Sequence, residues 1–110
     1  MMKNNELIFE FMGWRMWKPW IARVKYLDHT MVTTPYGSHD IKELSRKIHS
    51  DWNWLKIVIE KIGKIEFNQV DGMREYMSIN WSDSKVNIYT PIGEMYEIVI
   101  NFIKWYNDHK

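Results

Sequence analysis

Cysteine is absent from this chain of 110 residues. Its absence excludes disulfide bonds, thiolate zinc sites and cysteine nucleophiles together, so packing must supply the stability. The five glycines are isolated from one another, which excludes phosphate-binding loops and dinucleotide-binding fingerprints. A formal net charge of +1 at pH 7 also excludes the strongly basic composition that is typical of nucleic-acid-binding proteins.

Long apolar segments are missing as well. The run at residues 98–103, which Asn101 interrupts, is far shorter than the roughly 20 residues of a membrane span. Glu6 and Glu10 interrupt the N-terminal apolar segment, where a secretory signal needs an uncharged core. We therefore expect a cytoplasmic protein with no membrane partner. With 45% hydrophobic and 26% charged residues, the composition predicts one globular domain over residues 1–110.

Large aromatic and sulfur-containing side chains are what the chain has in excess: seven Trp, six Tyr and eight Met. Such side chains supply rigid apolar area and flexible filling to a small core. Apolar residues spaced by three and four predict three helices. The first covers residues 4–12, is capped by Asn4 or Asn5 and ends at Gly13. The last begins after a Thr90 cap and extends to the C-terminal region.

The central helix is predicted at residues 50–62, with Ser50 as its N-terminal cap and Asp51 in its first turn. Its apolar stripe comprises Trp52, Leu55, Val58, Ile59 and Ile62. Residues 65–70, 76–81 and 85–89 are β-favouring runs separated by turn residues, and they predict three strands. A short hairpin is predicted from strands at 21–26 and 31–34, whereas residues 41–48 fit either a loop or one helical turn. The expected fold is therefore α+β: a three-stranded antiparallel meander packed against helices in a sandwich-like arrangement, with an additional N-terminal helix and the hairpin.

Three segments of this sequence resemble a known group of proteins: ELIFEFMGW at residues 6–14, SDWNWLKIVIEKI at 50–62 and VINFIKWYN at 99–107. Together they look like small uncharacterised proteins of bacterial genomes and prophages, related to the phage ABA (helix, sheet, helix) sandwich domains. The resemblance implies an α+β sandwich and a phage or mobile-element setting. It implies no catalytic residues. The chain departs from the pattern at residues 14–48, where Trp17, Pro19 and Trp20 have no counterpart.

Two tryptophans of the central helix suggest a binding surface. Trp52 and Trp54 are two positions apart, so they face different sides of the helix. If Trp54 is exposed together with Trp105 or Tyr106, these residues form an aromatic patch for an unknown protein partner or for a second copy of the chain. The alternative is a second core on the other side of the helix. The leading hypothesis is a non-catalytic accessory protein of phage or mobile-element type that acts through protein–protein interaction.

A basic aromatic segment at residues 14–26 supports an alternative function. It contains four cations and no acid, and cations beside stacking aromatics favour single-stranded nucleic acid. The residues predicted to bind are Arg15, Trp17, Lys18, Trp20, Arg23 and Lys25. The opposing interpretation is that the tryptophans pack inward and the aliphatic stems of the cations cover their rings. Binding of this kind would be weak and sensitive to salt.

Metal or hydrolytic chemistry is the remaining class. Three histidines lie beside or near acids: Asp28 with His29, His39 with Asp40, and His49 with Asp51. Imidazole and carboxylate are ligands of catalytic zinc or iron, but these pairs lie in predicted turns, where both residue types are common for local reasons. Ser38 directly precedes His39 and Asp40, and adjacent residues cannot converge as a triad. We therefore expect no enzyme, no metal site and no cofactor.

Overall fold

A computed structural model describes residues 3–18, 30–82 and 84–110 and confirms the α+β class. The described residues form five α-helices, one turn of 3-10 helix and a three-stranded antiparallel sheet. The α-helices are α1 (Asn4–Met12), α2 (Ile41–Ile48), α3 (Trp52–Gly63), α4 (Met73–Asn80) and α5 (Ile92–His109), and the 3-10 helix is Phe67–Gln69. The strands are β1 (Arg15–Trp17), β2 (Met31–Thr34) and β3 (Gly37–Asp40).

The three predicted helices are confirmed, although all three N-terminal caps differ from the prediction. Gly13 ends α1 in the left-handed region with φ 74°, as its lack of a Cβ allows. The residue that precedes α1 is Lys3, whose backbone N–H donates to the Glu6 carboxylate. Asp51, and not Ser50, caps α3 by accepting a hydrogen bond from the Asn53 backbone N–H at 2.9 Å.

The sheet is a meander in the order β1-β2-β3, as expected, but it lies in the first half of the chain. The predicted strand at 31–34 is β2, and its predicted partner at 21–26 lies outside the described residues. In the structure β2 pairs with β1, where Arg15 faces Thr33, and with β3, where Val32 faces His39. A two-residue turn, 35–36, joins β2 to β3.

The strands predicted at 65–70, 76–81 and 85–89 are wrong. The first region contains the 3-10 helix, the second forms α4, and the third is a series of turns. Helical spacing decides α4, because Met73 is fully buried and Tyr76 and Met77, three and four positions later, pack against the same core. Thr90 was predicted to cap the last helix with its side chain. Instead its hydroxyl donates to the Lys85 carbonyl at 2.9 Å, within the turn region.

Residues 41–48 form a helix of two turns. Asp40 caps α2 by accepting a hydrogen bond from the Lys42 backbone N–H at 2.7 Å. Leu44 and Ile48, one turn apart, are both fully buried, so the helix is held by tertiary packing as well as by its cap. The sheet contacts α2 through β2 and β3, and it contacts α1 through β1.

The centre of the core is Phe102 of α5, which has no exposed surface. Its ring contacts five other aromatic rings, those of Phe11, Tyr76, Trp81, Trp105 and Tyr106. Helix α5 therefore joins α1 and α4 through aromatic pairs, each of which adds to the area that it buries. Within the described ranges, no helix combines the length and the apolar character that crossing a membrane requires.

Candidate functional site

An open groove lies between the β2–β3 turn and the first half of α3. Its volume is about 550 Å³. The turn contributes Tyr36, and the helix and its cap contribute Asp51, Asn53, Trp54, Lys56, Ile57 and Glu60. We refer to this surface as the Trp54 groove, because the half-buried ring of Trp54 is its largest side chain.

The ring of Trp54 is held by three neighbouring rings. The centroid distances are 5.8 Å to Trp14, 5.2 Å to His39 and 6.1 Å to Tyr36. All three contacts are close to perpendicular, the edge-to-face arrangement that aromatic quadrupoles favour. Trp14 is buried and stacks in turn on the buried Phe9. Trp54 is therefore anchored to the core on one side and open to the groove on the other.

Tyr36 forms the outer wall of the groove and is 66% exposed. Its backbone N–H donates to the Thr34 hydroxyl at 3.0 Å, and that hydroxyl donates to the Gly37 carbonyl at 3.2 Å. Gly37 has φ 120°, a conformation that residues with a Cβ rarely adopt. The buried Thr34 thus fixes the turn that holds an exposed aromatic ring against Trp54. Exposed rings of this kind are typical anchors of interfaces.

The side chains of Tyr36, Asn53 and Lys56 and the indole of Trp54 are the hydrogen-bond donors among the described residues that line the groove. The indole N–H of Trp54 takes part in no hydrogen bond among the described residues. The buried side-chain atoms without a partner among these residues are His39 Nε2 and Trp81 Nε1, and the Trp54 indole nitrogen is not one of them. A donor beside an apolar ring can fix the orientation of a bound chain by pairing with a carbonyl.

The charges around the groove nearly cancel. Lys56 and Glu60 lie one helical turn apart with their charged atoms 4.0 Å from each other, and both are exposed. The Asp51 carboxylate is already used as the cap of α3. An exposed pair of this kind contributes little energy, so the groove offers aromatic surface and hydrogen bonding more than it offers a charge. This arrangement suits an uncharged segment of a ligand.

The two tryptophans of α3 exchange their predicted roles. Trp52, predicted to be part of the apolar stripe, is 46% exposed and is not part of the core cluster, whereas Trp54 packs against that cluster. The stripe in the structure starts at Leu55 and continues through Val58 and Ile62. Trp54 lies four positions before Val58, which places the two residues on the same side of the helix.

The other two residues predicted for the interface do not share a patch with Trp54. Trp105 stacks on Tyr76 at 4.7 Å and on His109 at 4.4 Å. Tyr106 lies edge-on to Phe11 at 5.7 Å and stacks on the core residue Phe102. Both are half-buried in the aromatic cluster of α5, so their ring neighbours are different from those of Trp54. Sequence reasoning missed Tyr36, which takes their place.

The residues predicted to bind nucleic acid are only partly described. Trp20, Arg23 and Lys25 lie outside the described residues. Arg15 and Lys18 are exposed. The half-buried Trp17 donates its indole N–H to the Thr33 hydroxyl at 2.8 Å, which orients the ring.

Strand register places these side chains on one face of the sheet. Arg15 lies opposite Thr33, and Thr33 lies opposite Ser38, so the three share a face with Trp17. Thr33, Ser38 and Arg15 are exposed. The other face of the sheet, which carries the buried Val32, packs against the core. The outward face thus combines one aromatic ring with a cation and hydroxyl groups.

Of the three histidines near acids, the structure describes His39 and His49, and these lie against different aromatic rings. His39 lies against Trp54, and His49 lies against Tyr96 at 5.7 Å. His29 and Asp28 are outside the described residues. Among the residues that are described, no group of three or more histidine, cysteine, aspartate or glutamate side chains is arranged to hold a metal ion.

Comparison with known proteins identifies no family for this chain. No protein-family model matches the chain, and neither a curated protein nor a solved structure matches it. The function is therefore argued from the residues themselves, and the Trp54 groove is the surface on which most of the features of a binding site coincide.

Proposed function

We propose that this protein is a non-catalytic accessory protein of phage or mobile-element type that acts in the cytoplasm and binds an extended segment of another protein in the Trp54 groove. The observation that carries the proposal is the exposed ring of Tyr36, held edge-on to Trp54 beside an available indole N–H. The phage or mobile-element setting comes from the three sequence segments that resemble phage sandwich domains.

An extended, proline-containing segment fits the groove best. Polyproline II segments bind by placing their rings against aromatic side chains and their carbonyls against donors such as an indole N–H. Such segments lose little conformational entropy on binding because their polyproline II helix is already formed in the free peptide. A small metabolite would need an enclosure that buries most of its surface, whereas this groove is open along one side, between the turn and the helix.

The test is a titration of ¹⁵N-labelled protein with a polyproline peptide, followed through the indole N–H resonances. The Trp54 resonance, assigned from its loss in Trp54→Phe, is expected to shift in a saturable way, since its proton acquires an acceptor. Tyr36→Ala is expected to weaken binding about tenfold, the size of a typical interface anchor. Trp52→Ala is the matched control, because Trp52 is on the same helix but does not line the groove.

Two results would contradict the proposal. One is the absence of any saturable shift at Trp54 with polyproline peptides and with a library of natural-sequence peptides. The other is an equal loss of affinity in Tyr36→Ala and Trp52→Ala, which would place binding elsewhere. Sedimentation velocity of the protein alone tests whether a second copy is the partner, because self-association makes the sedimentation coefficient depend on concentration.

We propose weak binding of single-stranded nucleic acid as the second candidate function. It is supported by the outward face of the sheet, where Trp17 lies beside Arg15 with Lys18 next in the chain. A base stacks on an indole ring while cations neutralise phosphates. Trp20, Arg23 and Lys25 belong to the same proposal from their sequence positions.

A further inference from the structure

A second cleft lies between the beginnings of α1 and α2 and shares no lining residue with the Trp54 groove. Its volume is about 710 Å³, which lies within the usual range for sites that bind small molecules. Three cations line it: Lys3 before α1, and Lys42 and Arg46 on α2. We call it the basic cleft.

The three cations have no ion-pair partner among the acids that the structure describes. No ion pair within the described part of the chain involves Lys3, Lys42 or Arg46. Lys47, on another side of α2, is different, because its ammonium lies 3.1 Å from the Glu43 carboxylate. Lys42 and Arg46 are four positions apart on one helix, where like charges repel each other. A bound anion would relieve this repulsion.

Two acids lie near these cations, and each already serves a helix end. The Glu6 carboxylate lines the cleft and accepts from the Lys3 backbone N–H at 3.1 Å. The Asp40 carboxylate accepts from the Lys42 backbone N–H. These caps already occupy backbone donors at both helix ends, so the attraction for an anion comes from side chains. Among the described residues of the lining, three cations and the carboxylate of Glu6 sum to a formal charge of +2.

Uncharged donors complete the cleft. The Tyr96 hydroxyl donates to Asn5 Oδ1 at 2.5 Å, so the amide NH₂ of Asn5 is the group left for a ligand. Burial, with a smaller contribution from Glu97, raises the pKa of the Tyr96 hydroxyl. The hydroxyls of Thr30 and Ser45 also line the cleft. Ammonium, guanidinium, amide and hydroxyl groups are the donors that phosphate oxygens accept from.

We propose that the basic cleft binds a small anion that carries two or more phosphate groups, such as inorganic pyrophosphate or a nucleoside triphosphate. The cleft is much larger than one phosphate group, and its cations come from two separate helices, so a ligand with several phosphates can contact both sides. The half-buried Ile41 adds apolar surface against which a nucleoside can pack. This site is independent of the Trp54 groove and of the outward sheet face.

Isothermal titration of the full chain with inorganic pyrophosphate at constant ionic strength tests the site. Saturable binding is expected, and Arg46→Gln is expected to weaken it about tenfold, because it removes a charged hydrogen bond. Lys47→Gln is the matched control: it removes the same charge from the neighbouring position of the same helix, but its side chain lies outside the cleft. Lys47 and Arg46 are both exposed, so both variants are expected to fold.

A titration with ATP under the same conditions tests whether the cleft recognises a nucleotide or only its phosphate groups. If ATP binds more tightly than pyrophosphate, the nucleoside also contacts the cleft. If the two bind equally, the cleft recognises the phosphate groups alone. Either result supports the site. The proposal is overturned if pyrophosphate shows no saturable binding, or if Arg46→Gln and Lys47→Gln weaken it equally, which would be the effect of net charge. A preference for single-stranded DNA over pyrophosphate at equal phosphate concentration would also overturn it.

Discussion

Replacing Trp54 with alanine is expected to lower the free energy of unfolding by about 2 to 3 kcal/mol, whereas Trp52→Ala is expected to lower it by less than about 1 kcal/mol. A fully buried Trp or Phe costs roughly 3 to 5 kcal/mol on truncation. Trp54 is half-buried but contacts three rings, each edge-to-face pair adding about 0.5 to 1.5 kcal/mol. Trp52 is 46% exposed and is not part of the core cluster.

Urea unfolding followed by far-ultraviolet circular dichroism is the appropriate assay, since both substitutions remove a fluorophore. The slope against urea concentration is expected to stay the same, so the midpoints report stability directly. Equal destabilisation by the two variants, or a larger effect of Trp52→Ala, would refute the packing of α3 described above. It would also restore the sequence-based prediction that Trp52 faces the core.

This difference determines which variants can test binding. Trp54→Ala removes core contacts together with the groove surface. Tyr36→Ala removes a mostly exposed ring and leaves the core in place. Trp54→Phe keeps an aromatic ring but removes the indole N–H and part of the ring surface, so a loss of peptide affinity in a stable Trp54→Phe protein would measure the donor and that surface together.

Three further predictions concern other parts of the molecule. Phe102→Ala is expected to lower the free energy of unfolding by about 3 to 5 kcal/mol, measured with urea. Ile88 is 90% exposed, so Ile88→Ala is expected to change that free energy by less than about 0.5 kcal/mol. Similar losses in the two variants would contradict the core assignment. Above the ordinary tyrosine pKa of 10.0, the unfolded chain releases the Tyr96 proton before the folded chain does, because the folded pKa is raised, so stability falls as pH rises. Tyr96→Phe is expected to show a smaller alkaline loss, and an identical pH profile would refute this reasoning. Intrinsic fluorescence quenching by single-stranded DNA is expected to weaken steeply with salt and to disappear when Arg15 and Lys18 are both changed to Glu; an unchanged spectrum would end the nucleic-acid proposal.

The helices α1, α3 and α5 were predictable because local signals determine them. Apolar stripes at helical spacing mark each one, and Gly13 ends α1 where the sequence places it. The caps were less predictable, since Ser50 and Asp51 are both good N-cap residues and only the backbone geometry decides between them. In the structure Asp51 caps α3, while the Ser50 hydroxyl donates to the Arg46 carbonyl.

A three-stranded meander was predicted at residues 65–89, where the described residues form no strand, and only the predicted hairpin strand at 31–34 is a strand in the structure, β2. The error arises because strand propensity depends on tertiary context. Residues 76–81 contain Tyr, Ile and Trp, which favour strands. The helical spacing of Met73, Tyr76 and Met77 is the signal that identifies α4. Conversely, β3 has the sequence Gly-Ser-His-Asp, which is typical of a turn and becomes a strand only by pairing with β2.

The abundance of aromatic residues has two separate causes, and composition alone cannot distinguish them. Around Phe102 the rings replace aliphatic packing in a small core, and their exposure is low because they contact one another. At the Trp54 groove the sequence places an aromatic residue, Tyr36, in a turn where packing does not require it. Its position against Trp54 depends on the register of β2 with β3 and on the rotation of α3, both of which are long-range features. Burying most of its exposed ring against a partner would gain free energy that the isolated chain does not use, and this is the physical reason to look for a ligand at this groove first.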